Sequence, residues 1–252
     1  MDTTSDEASG ETPSSKGQWV LAEAIRSDLE KIGARNVHVD ENCYVYGRLP
    51  ANAAGQPTIA LIAHMDTADA VPGRAFSPSV RRFEGDRLTL NEALGIVLDE
   101  KDFPALKDYR GQELVVTDGT TVLGADDKAG IVEILRTLEL LIDRPDLPHG
   151  DVWAVFTPDE EIGSGAARLQ MERIQADFAY TVDGGAINAI EYENFNAAAA
   201  KVTIKGRNAH PGYAKGKMKN AIKLAMRYHA LLPEAMCPEQ TEGYEGFLHL
   251  RK

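Results

Sequence analysis

Three scarcities narrow the chain before any motif is considered. Cysteine is the first: 252 residues hold only Cys43 and Cys237, far apart and outside any CxxC pair. That argues against a disulfide framework and for two reduced thiols. Long apolar runs are the second, since none reaches the ~20 residues that a membrane helix needs. Basic charge is the third, with Lys and Arg totalling 27 against 39 Asp and Glu, for a net charge of −12. Such a surface repels phosphate backbones, so neither nucleic acid nor membrane is expected as a partner. The opening residues, Met1 to Glu7, are polar and acidic where a secretory signal would be basic and then apolar. The expected location is therefore cytoplasmic. Solubility is one account of the acidity; a gathering of carboxylates around cations is the other.

Residues 1–17 are rich in Ser, Thr, Glu and Gly and read as a loop. From Trp19 the apolar positions Ala22, Ile25, Leu29 and Ile32 recur at helical spacing, and Gly33 supplies a stop. Val37–Val39 and Tyr44–Leu49 suggest short strands, and Thr58–Ala63 has the continuous apolar character of a strand buried on both faces. Residues 69–112, broken by Pro72, Gly73, Pro78, Gly85, Gly95 and Pro104, read as a long excursion with short strands. A strand resumes at Leu114–Thr117. Lys128–Ile142 is the clearest helix, with Ile131, Ile134, Leu135, Leu138, Leu141 and Ile142 along one face. Val152–Thr157 and Phe178–Val182 read as two more buried strands. This alternation predicts an α/β fold with a mostly parallel sheet. After Asp183 the character changes. Ala189–Phe195 and Ala200–Ile204 predict a strand pair, a helix covers about Asn220–Leu232, and another strand begins near Phe247.

Four polar constellations follow these strands. His64-Met65-Asp66-Thr67 comes directly after the apolar run at 58–63. Gly124-Ala125-Asp126-Asp127-Lys128 lies between a strand and the strongest helix, where one aspartate can cap while the other faces a site. Asp159-Glu160-Glu161 and Asp183 each follow a buried strand. Taken singly, each has an ordinary explanation as a cap, a turn or a solvated helix start. Together they place a histidine and several carboxylates at strand ends, where ligand sites of open α/β sheets form. One His with several carboxylates suits Zn²⁺, with Mn²⁺ or Co²⁺ as alternatives. The adjacent Glu160 and Glu161 allow one to bind metal and the other to move protons.

The segments HMDT, TDGTTVLGADDKAG, FTPDEEIGSGA, AYTVDGG, EYENFNAA and NAHPGYAKG, in this order, resemble the peptidase T branch of the M20 metallopeptidase clan. The likeness runs over nearly the whole chain. It implies a zinc-peptidase catalytic domain over residues 1–195 and the beginning of an inserted α+β dimerisation domain over 196–252. It also implies two zinc ions per subunit: His64, Asp126 and Asp183 as ligands, Asp126 bridging, and Glu161 serving the second ion. Asp66 matches the aspartate that orients His64, and Glu160 the general base. His210 matches a histidine that stabilises the oxyanion in a neighbouring subunit's site. A non-proline cis peptide after Asp126 is implied as well.

The activity implied is release of the N-terminal residue from tripeptides by metal-activated water, in a homodimer. Carboxypeptidase or N-acyl amino acid deacylase activity, or an inactive peptide- or metal-binding fragment, are the alternatives. Against the family pattern the chain looks truncated at both ends. His149, His229 and His249 do not match the last histidine ligand of the second metal.

Overall fold

The computed structural model describes residues 1–71, 73, 77–185 and 187–250. Pro72, one of the expected breakers, lies outside them. The chain divides into two compact units, Met1–Ile190 and Glu191–Lys252.

The first unit opens with helix α1 (Lys16–Ile32), then β1 (Arg35–Val39), β2 (Val45–Leu49) and β3 (Ile59–His64). The excursion carries β4 (Ser79–Phe83), β5 (Arg87–Asn91), β6 (Ile96–Asp99) and β7 (Gln112–Val116). Helix α2 (Ala125–Asp143), β8 (Val152–Thr157), the short helix α3 (Met171–Ile174) and β9 (Phe178–Thr181) follow. Helix α1 buries Ala22, Ile25 and Leu29 along one stripe and ends where Gly33 turns left-handed at φ 92°.

The main sheet has the order β1-β2-β8-β3-β9. Strand β3 is parallel to both β8 and β9, whereas β2 is antiparallel to β1 and β8, so every strand except β2 points the same way. Every residue of β8 is buried because the strand is central and covered on both faces. Val152, Ala154 and Phe156 join the cluster built with α1 and α2, while Trp153 and Val155 join Tyr44, Tyr46 and Ile174 on the other face. The excursion forms two small antiparallel pairs, β4 with β7 and β5 with β6. The consequence for the site is directional: the carboxyl ends of β3, β8 and β9 reach one edge together.

Three strand expectations and one helix length are corrected. The run Phe178–Val182 is not a buried strand: every residue of β9 is exposed. It pairs with β3 on one side, and Phe178 meets Tyr180 edge-to-face at 5.7 Å. Apolar composition buries a strand only where another layer lies on it, and among the described residues none covers β9. The pair expected at 189–195 and 200–204 does not form either, and 245–250 holds no strand. An extended segment becomes a strand only when a neighbour's backbone answers its amides and carbonyls. In the second unit, among the described residues, the extended segments find only the bridge between Arg207 and Lys219 and a single bond from the Leu248 amide to the Met236 carbonyl, too little for a ladder. Helix α4 (Ala221–His229) is shorter than expected; Asn220 caps it by accepting the Lys223 amide at 3.1 Å.

Candidate metal centre

The site begins at the end of β3. His64 pairs in parallel register with Thr157 of β8 and is only 3% exposed. Two residues on, Asp66 is fully buried. Its Oδ1 accepts the amide of Glu160 at 3.0 Å and its Oδ2 that of Glu161 at 3.1 Å, so the turn after β3 is tied to the turn after β8. The same residue faces the histidine ring: Nδ1 of His64 lies 3.1 Å from the Asp66 carbonyl oxygen and 3.3 Å from its Oδ1. Both are acceptors, so Nδ1 carries the proton. In the neutral ring Nε2 then presents its lone pair outward.

What Nε2 faces decides the chemistry. Asp126 Oδ1 lies 3.0 Å away, Asp183 Oδ2 3.8 Å and Glu160 Oε2 3.9 Å. A lone pair facing carboxylates needs a cation between them, either a proton or a metal. His64, Asp126 and Asp183 offer one ligand atom each, all within 4.8 Å of one another. One imidazole nitrogen and two carboxylate oxygens suit a first-row divalent ion. The donor set fits a metal.

The two aspartates at the start of α2 part company. Their peptide bond is cis and both have non-helical backbone angles. Asp126 stays exposed towards the His64 ring, while Asp127 is 3% exposed. Asp127 accepts the amides of His64 and Gly130, each at 3.1 Å, and so caps the helix and fixes the end of β3.

Electrostatics agree with a cation site. Burial alone would lower the His64 pKa, but its hydrogen bond to Asp66 and the charges of Asp66, Asp183 and Asp127 hold it at about 9. Burial would raise Asp66, yet His64 and the amides of Glu160 and Glu161 keep it below the usual carboxylate range. Glu160, Glu161 and Asp183 are all pushed up, first by desolvation and then by neighbouring carboxylates, against the pull of His64.

His64, Asp66, Asp126, Glu160 and Asp183 thus come together. Glu161 joins through its backbone, and its carboxyl is outside the converging three. His210 is in the second unit, on an exposed turn where its Nδ1 accepts the Gly212 amide at 3.1 Å.

Sequence reasoning missed Ser14 and Gln18, and gave Asp159 no role apart from its acidic neighbours. Asp159 is 1% exposed and its carboxylate accepts both amide and hydroxyl of Ser14 and the side-chain amide of Gln18. A signal was available. Gln18 lies on the same helical stripe as Ala22, Ile25 and Leu29, a polar residue on an apolar face.

Residues 192–251 match the model of the M20 peptidase dimerisation domain. The chain is 52% identical over 252 residues to peptidase T of Bacillus licheniformis, covering 99% of itself and 62% of that relative. Peptidase T of Bacillus subtilis is 49% identical at the same coverages. The chain therefore spans about three fifths of the length of the curated relatives it matches. Among solved structures, the aminopeptidase PepT of Bacillus cereus aligns with a TM-score of 0.56 at 26% identity, over 88% of this chain and 52% of that one. A tripeptidase from Staphylococcus aureus gives a TM-score of 0.59 at 22% identity, over 96% and 55%, a likeness of fold. Over the part of those relatives that it spans, the chain is similar in sequence to curated peptidase T proteins, and its residues 192–251 to the M20 peptidase dimerisation domain.

Proposed function

We propose that the protein is a metal-dependent aminopeptidase that releases the N-terminal residue of tripeptides. The observation that carries this reading is the lone pair of His64 Nε2 facing carboxylates from three other turns. Curated relatives named peptidase T support it over carboxypeptidase or deacylase activity.

His64, Asp126 and Asp183 would hold a zinc ion, with Mn²⁺ or Co²⁺ as alternatives, and Asp126 with Glu161 would serve a second. The metal supplies Lewis acidity, which lowers the pKa of a bound water towards ~7 and polarises the scissile carbonyl. Asp66 keeps the proton on His64 Nδ1 and the ring turned to the site. Glu160, half exposed and 3.9 Å from Nε2, takes the proton from the attacking water and delivers it to the leaving amine nitrogen. Its raised pKa brings it nearer the working pH of a general base. We assign His210 the stabilisation of the oxyanion in the neighbouring subunit's site, an effect of about 3–4 kcal/mol per donor in well-formed sites. Residues 1–195 are assigned to catalysis and 196–252 to pairing of subunits in a cytoplasmic homodimer.

The test compares the parent with Glu160→Ala for zinc affinity and tripeptide hydrolysis. Zinc binding within a few-fold of the parent, with turnover lowered by about two to four orders of magnitude, is expected. Equal turnover in both proteins would remove Glu160 from the mechanism. A zinc-loaded parent with no tripeptide hydrolysis would refute the activity.

A further inference from the structure

Three attachments of the chain's first eighteen residues to the body of the first unit each land on a turn that carries a site residue. Ser5 donates its amide and hydroxyl to the Thr67 carbonyl at 3.1 and 3.2 Å, and the Thr67 amide returns to the Thr3 carbonyl at 3.3 Å. Thr67 directly follows Asp66. Lys128, two residues after Asp126, donates through Nζ to Thr3 Oγ1 at 2.9 Å.

The third attachment is the most thoroughly bonded. The Ser14 amide lies 3.0 and 2.9 Å from the two Asp159 carboxylate oxygens, and the Ser14 hydroxyl donates to Oδ1 at 2.5 Å. Gln18, fully buried, donates through Nε2 to Asp159 Oδ1 at 2.8 Å. In return the Asp159 amide donates to Gln18 Oε1 at 3.1 Å.

This arrangement is more than burial requires. A carboxylate at 1% exposure needs hydrogen bonds, but a turn residue could have pointed it into water. Asp159 instead sits in the left-handed region at φ 55°, an uncommon conformation for a residue other than glycine. The next two residues are Glu160 and Glu161, whose amides grip the two oxygens of Asp66, and Asp66 holds the His64 ring. One continuous hydrogen-bonded path thus runs from α1 to the proposed metal ligand.

We propose that Gln18 and Ser14 are positioning residues of the metal centre: through Asp159 and the Glu160 and Glu161 amides they fix the Asp66 carboxylate and so the His64 ring. This rests on His64 being a metal ligand. Groups that orient a metal's ligands from behind typically change affinity 10–100-fold, so a path with two more links is expected to be worth roughly fivefold to tenfold.

The experiment is a titration of the full chain with Co²⁺, read by calorimetry and by the visible absorption of the bound ion, which reports ligand geometry. Near-ultraviolet circular dichroism and a melting curve establish that each variant is folded at the assay temperature. The parent binds and His64→Ala does not. Folded Gln18→Leu should bind roughly fivefold to tenfold more weakly with an altered spectrum. Ser14→Ala should lose about threefold, and Ser14→Thr, which keeps the hydroxyl, should match the parent. Gln18→Leu folded and with the parent's affinity and spectrum would overturn the proposal. Should Gln18→Leu not fold, Ser14→Ala decides: unchanged affinity overturns it, and a loss restored in Ser14→Thr upholds it. A parent that binds no metal would fail the metal reading itself, and this proposal with it.

Discussion

The backbone amide of His64 donates to Oδ2 of Asp127 at 3.1 Å, so the buried aspartate holds the chain of the histidine while Asp126 beside it faces the ring. The other Asp127 oxygen accepts the Gly130 amide, which leaves both oxygens engaged. Asp127→Ala strands two buried amides and is expected to cost about 2–4 kcal/mol in a denaturant titration. Asp127→Asn keeps one acceptor and should lose about half of that. Equal stability of alanine variant and parent would show that the pair does not hold β3 to α2.

The same residues give the metal-free protein a particular response to pH. Asp127 is pushed up to about 7 by burial, against the opposing amide of His64, and His64 is held at about 9. Both bind more protons folded than unfolded, Asp127 between its ordinary value of 3.8 and about 7, His64 between 6.5 and about 9. Stability must therefore fall as pH rises through those windows, by a few kcal/mol in total. Melting curves in chelator should drop steadily from pH 5 to pH 9, and saturating zinc should flatten the upper part. A midpoint rising between pH 6 and pH 9 in chelator would contradict the assignment.

Gly130 marks a close approach. A Cβ there would lie 2.0 Å from the Val182 carbonyl oxygen and 2.3 Å from Asp127 Oδ1. Gly130→Ala must push Val182, and with it Asp183, away from α2. A loss of about 1–3 kcal/mol is expected, together with weaker zinc binding. Unchanged zinc affinity would separate Asp183 from the helix start.

The two thiols should differ sharply. Cys43 is fully buried and its thiol is pushed up to about 12, chiefly by burial and further by Asp40, Asp159 and Glu23. Cys237 is partly accessible. Iodoacetamide at pH 8 should label Cys237 alone in the native protein and both thiols in denaturant, as peptide mass analysis would show. Rapid native labelling of Cys43 would mean that the core between α1 and the sheet is open.

Much of this was legible in the sequence because burial writes periodicity into it. The stripe on α1, the run of β8 and the face of α2 each state what covers them. The strand-end positions of His64, Asp126, Glu160 and Asp183 followed from the same pattern. What could not be read depends on partners distant in the chain. Asp159 looks like one more acidic residue beside Glu160 and Glu161; that it turns inward is decided by Ser14 and Gln18, 145 and 141 residues away. Phe178–Val182 has the composition of a buried strand, and only the absence of a covering layer among the described residues leaves Phe178–Thr181 exposed.

The central claim is that His64, Asp126 and Asp183 close on a divalent cation. Its most direct test is anomalous diffraction at the zinc edge from crystals of the full chain grown with Zn²⁺. The account predicts a peak within coordination distance, about 2.0–2.2 Å, of His64 Nε2 and of oxygens from Asp126 and Asp183. A zinc-saturated crystal with no peak between these three residues would contradict it.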